Sequence, residues 1–326
     1  MELVKEMLAG QEKSLARLIT MVEREDYDVP RIMKLINPHL GKGYRLGVTG
    51  MPGGGKSTIV DRLTKVIREK GLTVGIVCAD PTSPFTGGAV LGDRIRMQQH
   101  YLDNGVFIRS MASRGSQGGL PINTRGVTKL LDAFGKDFII VETVGVGQTE
   151  LDVMENVDTV IVVLTPESGD AIQTMKAGLL EIADIFAVNK ADRPGVYNMV
   201  GELEAMIELR SKAASWKPPV LATQAVNNVG MEKLYLEVER HRQALEDTGQ
   251  LSQRRQLQRK REFIQTVQRR VTAQLAKFIE TDGQLSTYME KVERGEIDPY
   301  SAARKILSSE ALLATWSQEL AKTREG

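Results

Sequence analysis

Between the apolar run YRLGV (44–48) and the helix-patterned stretch STIVDRLTKVIREK (57–70), the chain reads TGMPGGGKST (49–58). No other stretch restricts the fold as strongly. Gly50, Gly55, Lys56 and Ser57 occupy the fixed positions of G-x-x-x-x-G-K-[ST], directly after a strand pattern and directly before a helix pattern. Glycines without side chains let successive N–H groups turn into one concavity, and the helix amino terminus adds partial positive charge there. Polyphosphate oxygens are the natural guest. Lys56 is placed to reach the β- and γ-phosphates, and the Ser57 hydroxyl to ligate Mg²⁺.

A strand feeding a helix in this way predicts further strand-helix units, and the sequence supplies them. YRLGVTG, LTVGIVCAD, VFIRSMA, FIIVETVG, TVIVVLTP, IFAVNKAD and PPVLATQA are short apolar runs separated by helix-length stretches. Seven such runs predict an α/β fold of the P-loop NTPase type, with a mostly parallel central sheet flanked by helices. Ligands of such sheets bind at the carboxyl ends of the strands, where these runs close on polar or glycine-rich sequence. Helical extensions are expected at both ends: 1–40 before the nucleotide domain (41–250), and 251–326 after it as a dimerisation arm. In the latter, Ile264, Val267, Val271, Leu275 and Phe278 form one stripe, expected to pack on the main domain or on a second copy of the chain.

Composition narrows the partners. With 43 basic against 42 acidic side chains, the net charge of +1 gives no general attraction to nucleic acid or acidic membranes. Arg254, Arg255, Arg259, Lys260, Arg261, Arg269 and Arg270 lack interleaved aromatics and are read as a solvated helical face. The longest apolar run, TVIVVL, is far short of a membrane span, and the amino terminus lacks a basic-then-apolar pattern. Cytoplasm is the expected compartment. The lone Cys78 excludes an intramolecular disulfide framework and, inside an apolar strand, reads as a core residue.

Asn189, Lys190 and Asp192 form N-K-x-D at the end of IFAV. An aspartate there can accept hydrogen bonds from guanine N1 and N2, a donor pair adenine lacks, so GTP is expected over ATP. Gln224 and Ala225, in TQA, are expected to contribute backbone contacts to the same base. Asp80, Asp93 and Glu142 lie at strand ends or in adjoining loops, with Asp80 and Glu142 expected nearest the metal. Gly145 can present its N–H to a γ-phosphate. Gln148, Arg94 and Arg114 are weaker candidates for orienting water or compensating charge, so slow intrinsic hydrolysis, stimulated by a partner, is expected.

GMPGGGKST, DPTSPFTGGAVLGDRIRM, FIRSMASRG, ETVGVGQTELD, GDAIQTMKAGLLEIAD and NKAD together resemble the methylmalonyl-CoA mutase-associated GTPases, the MeaB/ArgK family that includes the human methylmalonic aciduria type A protein. The resemblance runs from about residue 40 to 245. It implies a homodimeric GTPase of the SIMIBI class that gates adenosylcobalamin loading into methylmalonyl-CoA mutase and protects that enzyme. The family's phosphate loop falls on Gly50, Pro52, Gly53, Gly54, Gly55, Lys56, Ser57 and Thr58. Its magnesium-linked acids fall on Asp80, Asp93 and Glu142, of which Asp80 and Glu142 are expected with Ser57 at the metal; these acids and Lys56 form the implied catalytic set. Its third switch, which communicates with the mutase, falls on about 165–176, with Thr165, Asp170, Gln173 and Lys176 as its polar members. The alternatives are a kinase or ATPase linked to arginine/ornithine transport and a non-hydrolysing nucleotide-dependent binding module. Nickel-inserting relatives need soft or imidazole ligands, against which stand the wide separation of His39, His100 and His241 and the core position of Cys78.

Overall fold

Each of the seven apolar runs contains a strand: β1 (Tyr44–Gly50), β2 (Val74–Asp80), β3 (Val106–Ala112), β4 (Phe138–Glu142), β5 (Thr159–Leu164), β6 (Ile185–Val188) and β7 (Val220–Ala222). A computed structural model describes residues 1–80, 97–112, 123–143, 155–166, 181–210, 216–281, 283–310, 314 and 316. The strands pair in parallel in the order β3-β2-β4-β1-β5-β6-β7. Every residue of β4, β5 and β6 is buried, which is why, apart from Glu142 and Thr159 at strand ends, these runs are continuously apolar rather than alternating.

The helices divide between the two faces. Leu46, Val48, Ile76, Ile140 and Ile161 meet α4 (Lys56–Glu69) and α7 (Met231–Asp247). On the other face, Val77, Phe107 and Ile139 meet α5 (Thr124–Ala133), together with α1 (Glu2–Leu8), α2 (Glu12–Glu23) and α3 (Val29–Ile36). Further along that face, Val160, Val162 and Phe186 meet α6 (Val196–Arg210). The amino-terminal helices thus share a core with the sheet. Each fully buried aliphatic side chain, such as Leu15 or Leu18, contributes about 1.5–3 kcal/mol relative to exposure.

The chain divides into two units, Met1–Arg255 and Gln256–Gly326, and α8 (Gln250–Thr281) begins in the first. Here the structure corrects the reading of Arg254 and Arg255 as solvated. Arg255 donates to both Asp158 oxygens, at 3.0 and 2.7 Å, and Arg254 to both Asp184 oxygens, at 2.9 and 3.1 Å. The acids stand just before β5 and β6, where each also accepts a strand N–H: Arg45 N for Asp158 and Val160 N for Asp184. Fixed there and buried, the two carboxylates need cations. In the second unit, α9 (Gly283–Glu293) and α10 (Pro299–Ser308) accompany the rest of α8, and Phe278 and Leu285 form a small cluster with Ile306. Ile264, Val267 and Val271 are exposed.

Candidate functional site

The loop from Gly50 to α4 joins the end of central strand β1 to a helix amino terminus, and its glycines are required by its shape. Gly50, Gly53 and Gly55 have φ of +136°, +71° and +88°, a region that disfavours side chains. A β-carbon on Gly50 would run into the Val163 carbonyl oxygen, and one on Gly55 into the Asn189 side-chain amide. Lys56, only 7% exposed, folds back and donates from Nζ to the carbonyl oxygens of Gly50 and Met51, each at 3.0 Å. Its ammonium is therefore held at the mouth of the loop. Pro52 and Gly53 are exposed at the tip, Gly54 is buried, and Thr58 is half-buried in the first turn of α4.

Glu142 closes β4 beside this loop. Its Oε1 accepts a hydrogen bond from Ser57 Oγ at 2.6 Å, with both side chains buried. The register explains the meeting: Glu142 pairs with Val48 of β1 and with Cys78 of β2, so it stands between the strand leading to the phosphate loop and its other neighbour. The Cys78 thiol approaches Oε2 at 3.9 Å from the core. A hydroxyl and a carboxylate converging at a helix amino terminus are hard oxygen donors, which fits Mg²⁺. Asp80 ends β2, and its side chain lies outside the described residues, as do Asp93, Arg94, Arg114, Gly145, Gln148, Asp170, Gln173 and Lys176. Thr165 is buried just after β5.

Asn189 joins the far side of the site to the phosphate loop. Its Nδ2 donates to the Gly54 carbonyl oxygen at 2.9 Å, while its Oδ1 accepts from Ala225 N at 3.1 Å and Thr223 Oγ1 at 3.3 Å. The side chain thereby links the loops after β1, β6 and β7. N-K-x-D spacing alone gave no hint of this linkage. Lys190 takes φ +60° as the chain turns away from β6. The Ala191 N–H donates to the Thr223 carbonyl oxygen at 3.0 Å, and the Asp192 side chain is exposed. Gln224 is half-buried, its N–H donating to the Val229 carbonyl oxygen at 3.0 Å. A second pair missed from sequence is Thr143 with Thr49, hydroxyl to hydroxyl at 2.9 Å, just after β4 and near the end of β1. Polar residues closing two adjacent buried strands were the available signal.

The phosphate loop, the acid and the N-K-x-D loop thus gather at the carboxyl ends of β1, β4 and β6. Residues 15–280 match the family described as Methylmalonyl Co-A mutase-associated GTPase MeaB. A putative GTPase of Pyrococcus abyssi is 47% identical over 309 residues, covering 94% of this chain and 95% of that protein. The mitochondrial methylmalonic aciduria type A homolog of Mus musculus is 30% identical over 321 residues, covering 93% and 77%. Among solved structures, one described as LAO/AO transport system kinase superposes with a TM-score of 0.69 at 27% identity, covering 94% of this chain and 95% of that one. The match spans most of the chain, and the chain is a P-loop GTPase that belongs to the MeaB family of methylmalonyl-CoA mutase-associated GTPases.

Proposed function

We propose that this protein binds Mg²⁺·GTP between the loop at Gly50–Lys56 and the loop at Asn189–Asp192, hydrolyses it slowly on its own, and uses the cycle to serve an adenosylcobalamin-dependent methylmalonyl-CoA mutase. The convergence of Ser57 and Glu142 at 2.6 Å beside the phosphate loop is the observation that carries the reading. Ser57, Glu142 and Asp80 hold the cation, which supplies charge compensation to the phosphates when bound. Lys56 exchanges its two carbonyl partners for phosphate oxygens. Backbone N–H groups of Gly53, Gly54 and Gly55, which follow Pro52, with those of Lys56, Ser57 and Thr58, complete the cradle, and Gly145 contacts the γ-phosphate. Asp192 accepts from guanine, with Gln224 and Ala225 beside the base. Asp93 completes the acidic set, and Thr165, Asp170, Gln173 and Lys176 relay the nucleotide state to the client.

In this reading the protein is a cytoplasmic homodimer that gates cofactor loading and protects the mutase from inactivation. The exposed stripe of Ile264, Val267 and Val271 favours pairing through the carboxyl-terminal helices. Among the described residues no helix is long and apolar enough to cross a membrane. The test is co-purification with a cobalamin-dependent mutase in the presence of a GTP analogue or GDP. Nucleotide-dependent complex formation is expected, and no complex at high protein concentration with either nucleotide would remove the client role.

The likeness to the structure described as LAO/AO transport system kinase favours a second reading, transfer of the γ-phosphate to an acceptor. Radiolabelled nucleotide separates the two readings: label passes to an acceptor in a kinase and appears as free phosphate in a GTPase.

A further inference from the structure

The backbone at the end of β4 is fixed without help from the Glu142 side chain. Glu142 stands in register with Val48 and Cys78, the Thr143 N–H donates to the Val48 carbonyl oxygen at 3.1 Å, and the Thr143 hydroxyl donates to Thr49 Oγ1 at 2.9 Å. What the strands leave undecided is the plane of the carboxylate, because the last torsion of a glutamate is broad and roughly two-fold. Two donors on different elements bear on it. Ser57 Oγ, on α4, donates to Oε1 at 2.6 Å, and Cys78 Sγ, on β2, donates to Oε2 at 3.9 Å.

Cys78 is fully buried, and Val74 and Ile76 of the same strand lie with it in the core beneath α4. Packing there would be served equally by another aliphatic side chain; the thiol differs in carrying a donor. Its neighbour on the other flank of the row is Ser110 of β3, whose Oγ makes no hydrogen bond among the described residues. Within the row, the thiol's acceptor is therefore Glu142. A thiol is a weak donor and 3.9 Å is a long contact, so the pair adds little to stability. Its effect falls on direction: with Oε2 drawn toward β2, Oε1 stays turned to the Ser57 hydroxyl at the start of α4.

Building on the proposed Mg²⁺·GTP reading of the site, we infer that Cys78 is a positioning residue for the cation. Its thiol holds the Glu142 carboxylate in the plane that presents Oε1, beside the Ser57 hydroxyl, to hydrated Mg²⁺. Mg²⁺ demands near-ideal octahedral geometry, and an oxygen already turned the right way loses less freedom when the cation binds. Without the thiol's donor, Glu142 keeps its place in the strand but its carboxylate is free to turn. The cation's contribution to GTP binding then weakens, while the metal-independent contacts of the Gly50–Lys56 loop stay as they are.

The test uses the full chain and the variants Cys78→Ala, Cys78→Val and Cys78→Ser. GTP Kd is measured by calorimetry across a Mg²⁺ series and in EDTA, and the thermal midpoint on the nucleotide-free protein. In Cys78→Val, which fills the space without a donor, the Mg²⁺ concentration giving half of the full gain in affinity is expected to rise about fivefold, at a midpoint close to that of the unmodified protein. Cys78→Ala is expected to show the same rise at a lower midpoint. Cys78→Ser, which keeps an O–H donor, is expected to stay within about twofold of the unmodified Mg²⁺ requirement, although a hydroxyl in an apolar strand lowers its midpoint. Kd in EDTA should be the same in all four proteins. An unchanged Mg²⁺ requirement in Cys78→Val overturns the inference, as does a requirement that follows the midpoint across the variants or one raised equally in Cys78→Ser. If Cys78→Ala fails to fold, the Val and Ser variants decide. GTP binding by the unmodified protein that Mg²⁺ does not strengthen overturns the proposed nucleotide reading itself, whereas one common Mg²⁺ requirement in all four proteins overturns only the role of Cys78.

Discussion

Asn189 shows how much one side chain can connect. Its amide uses both ends within the protein, reaching Gly54 on one side and Ala225 and Thr223 on the other. Asn189→Ala leaves those buried partners without it, at a cost of about 1–3 kcal/mol. Urea unfolding of the free protein should therefore show a loss of about 1–3 kcal/mol from this change. Unaltered stability would mean that the bridge does not hold the three loops together. Gly50→Ala is expected to be harsher, because its β-carbon meets backbone rather than a movable side chain. At this scale the sequence disclosed residue types better than partners. Gly50, Lys56 and Ser57 were legible because phosphate chemistry fixes their spacing, whereas the Asn189 bridge joins positions more than a hundred residues apart and has no local signature.

At the amino ends of the strands, charge holds the elements together. Burial alone would raise the Asp158 carboxyl, but the guanidiniums of Arg45 and Arg255 outweigh it and hold the acid below the usual carboxylate range. That stability is present above the unfolded value and lost as pH falls through the folded one. Arg255→Ala leaves the fully buried Asp158 with one guanidinium fewer, and urea unfolding should report a loss of about 3 kcal/mol. A loss under ~1 kcal/mol would place this pair with ordinary surface ion pairs.

His241 gives a second pH effect among the same elements. Burial pushes its imidazole down to about 4, against the opposing pull of Asp184. The unfolded chain then binds more protons than the folded one between the ordinary histidine value and about 4. Stability should fall as pH drops through that window, by up to about 1.4 kcal/mol per unit. Trp216, with its ring centroid 4.6 Å from that of His241, provides the fluorescence signal, and His241→Gln should flatten the slope. Elements were legible wherever burial imposed a pattern: runs such as FIIV and TVIVVL contain strands because both faces of the sheet are covered. The reassignment of Arg254 and Arg255 was not legible, since their partners Asp158 and Asp184 are remote in sequence.

For the whole molecule, alternation of apolar runs with helical stretches was enough to anticipate a parallel α/β sheet, because a parallel strand can be reached only by a crossover. Which face the first three helices cover depends on pairing among β2, β3 and β4, and local periodicity does not encode it. If the exposed stripe on α8 joins two copies, Val267→Asp should convert a dimer to a monomer in sedimentation; a wild-type monomer at micromolar concentration would remove that role. The central claim is tested most directly by calorimetry of the magnesium-supplied protein with GTP and ATP, followed by measurement of phosphate release. The account predicts GTP uptake, little or no ATP uptake and slow release of phosphate; tight ATP uptake without GTP uptake would contradict it.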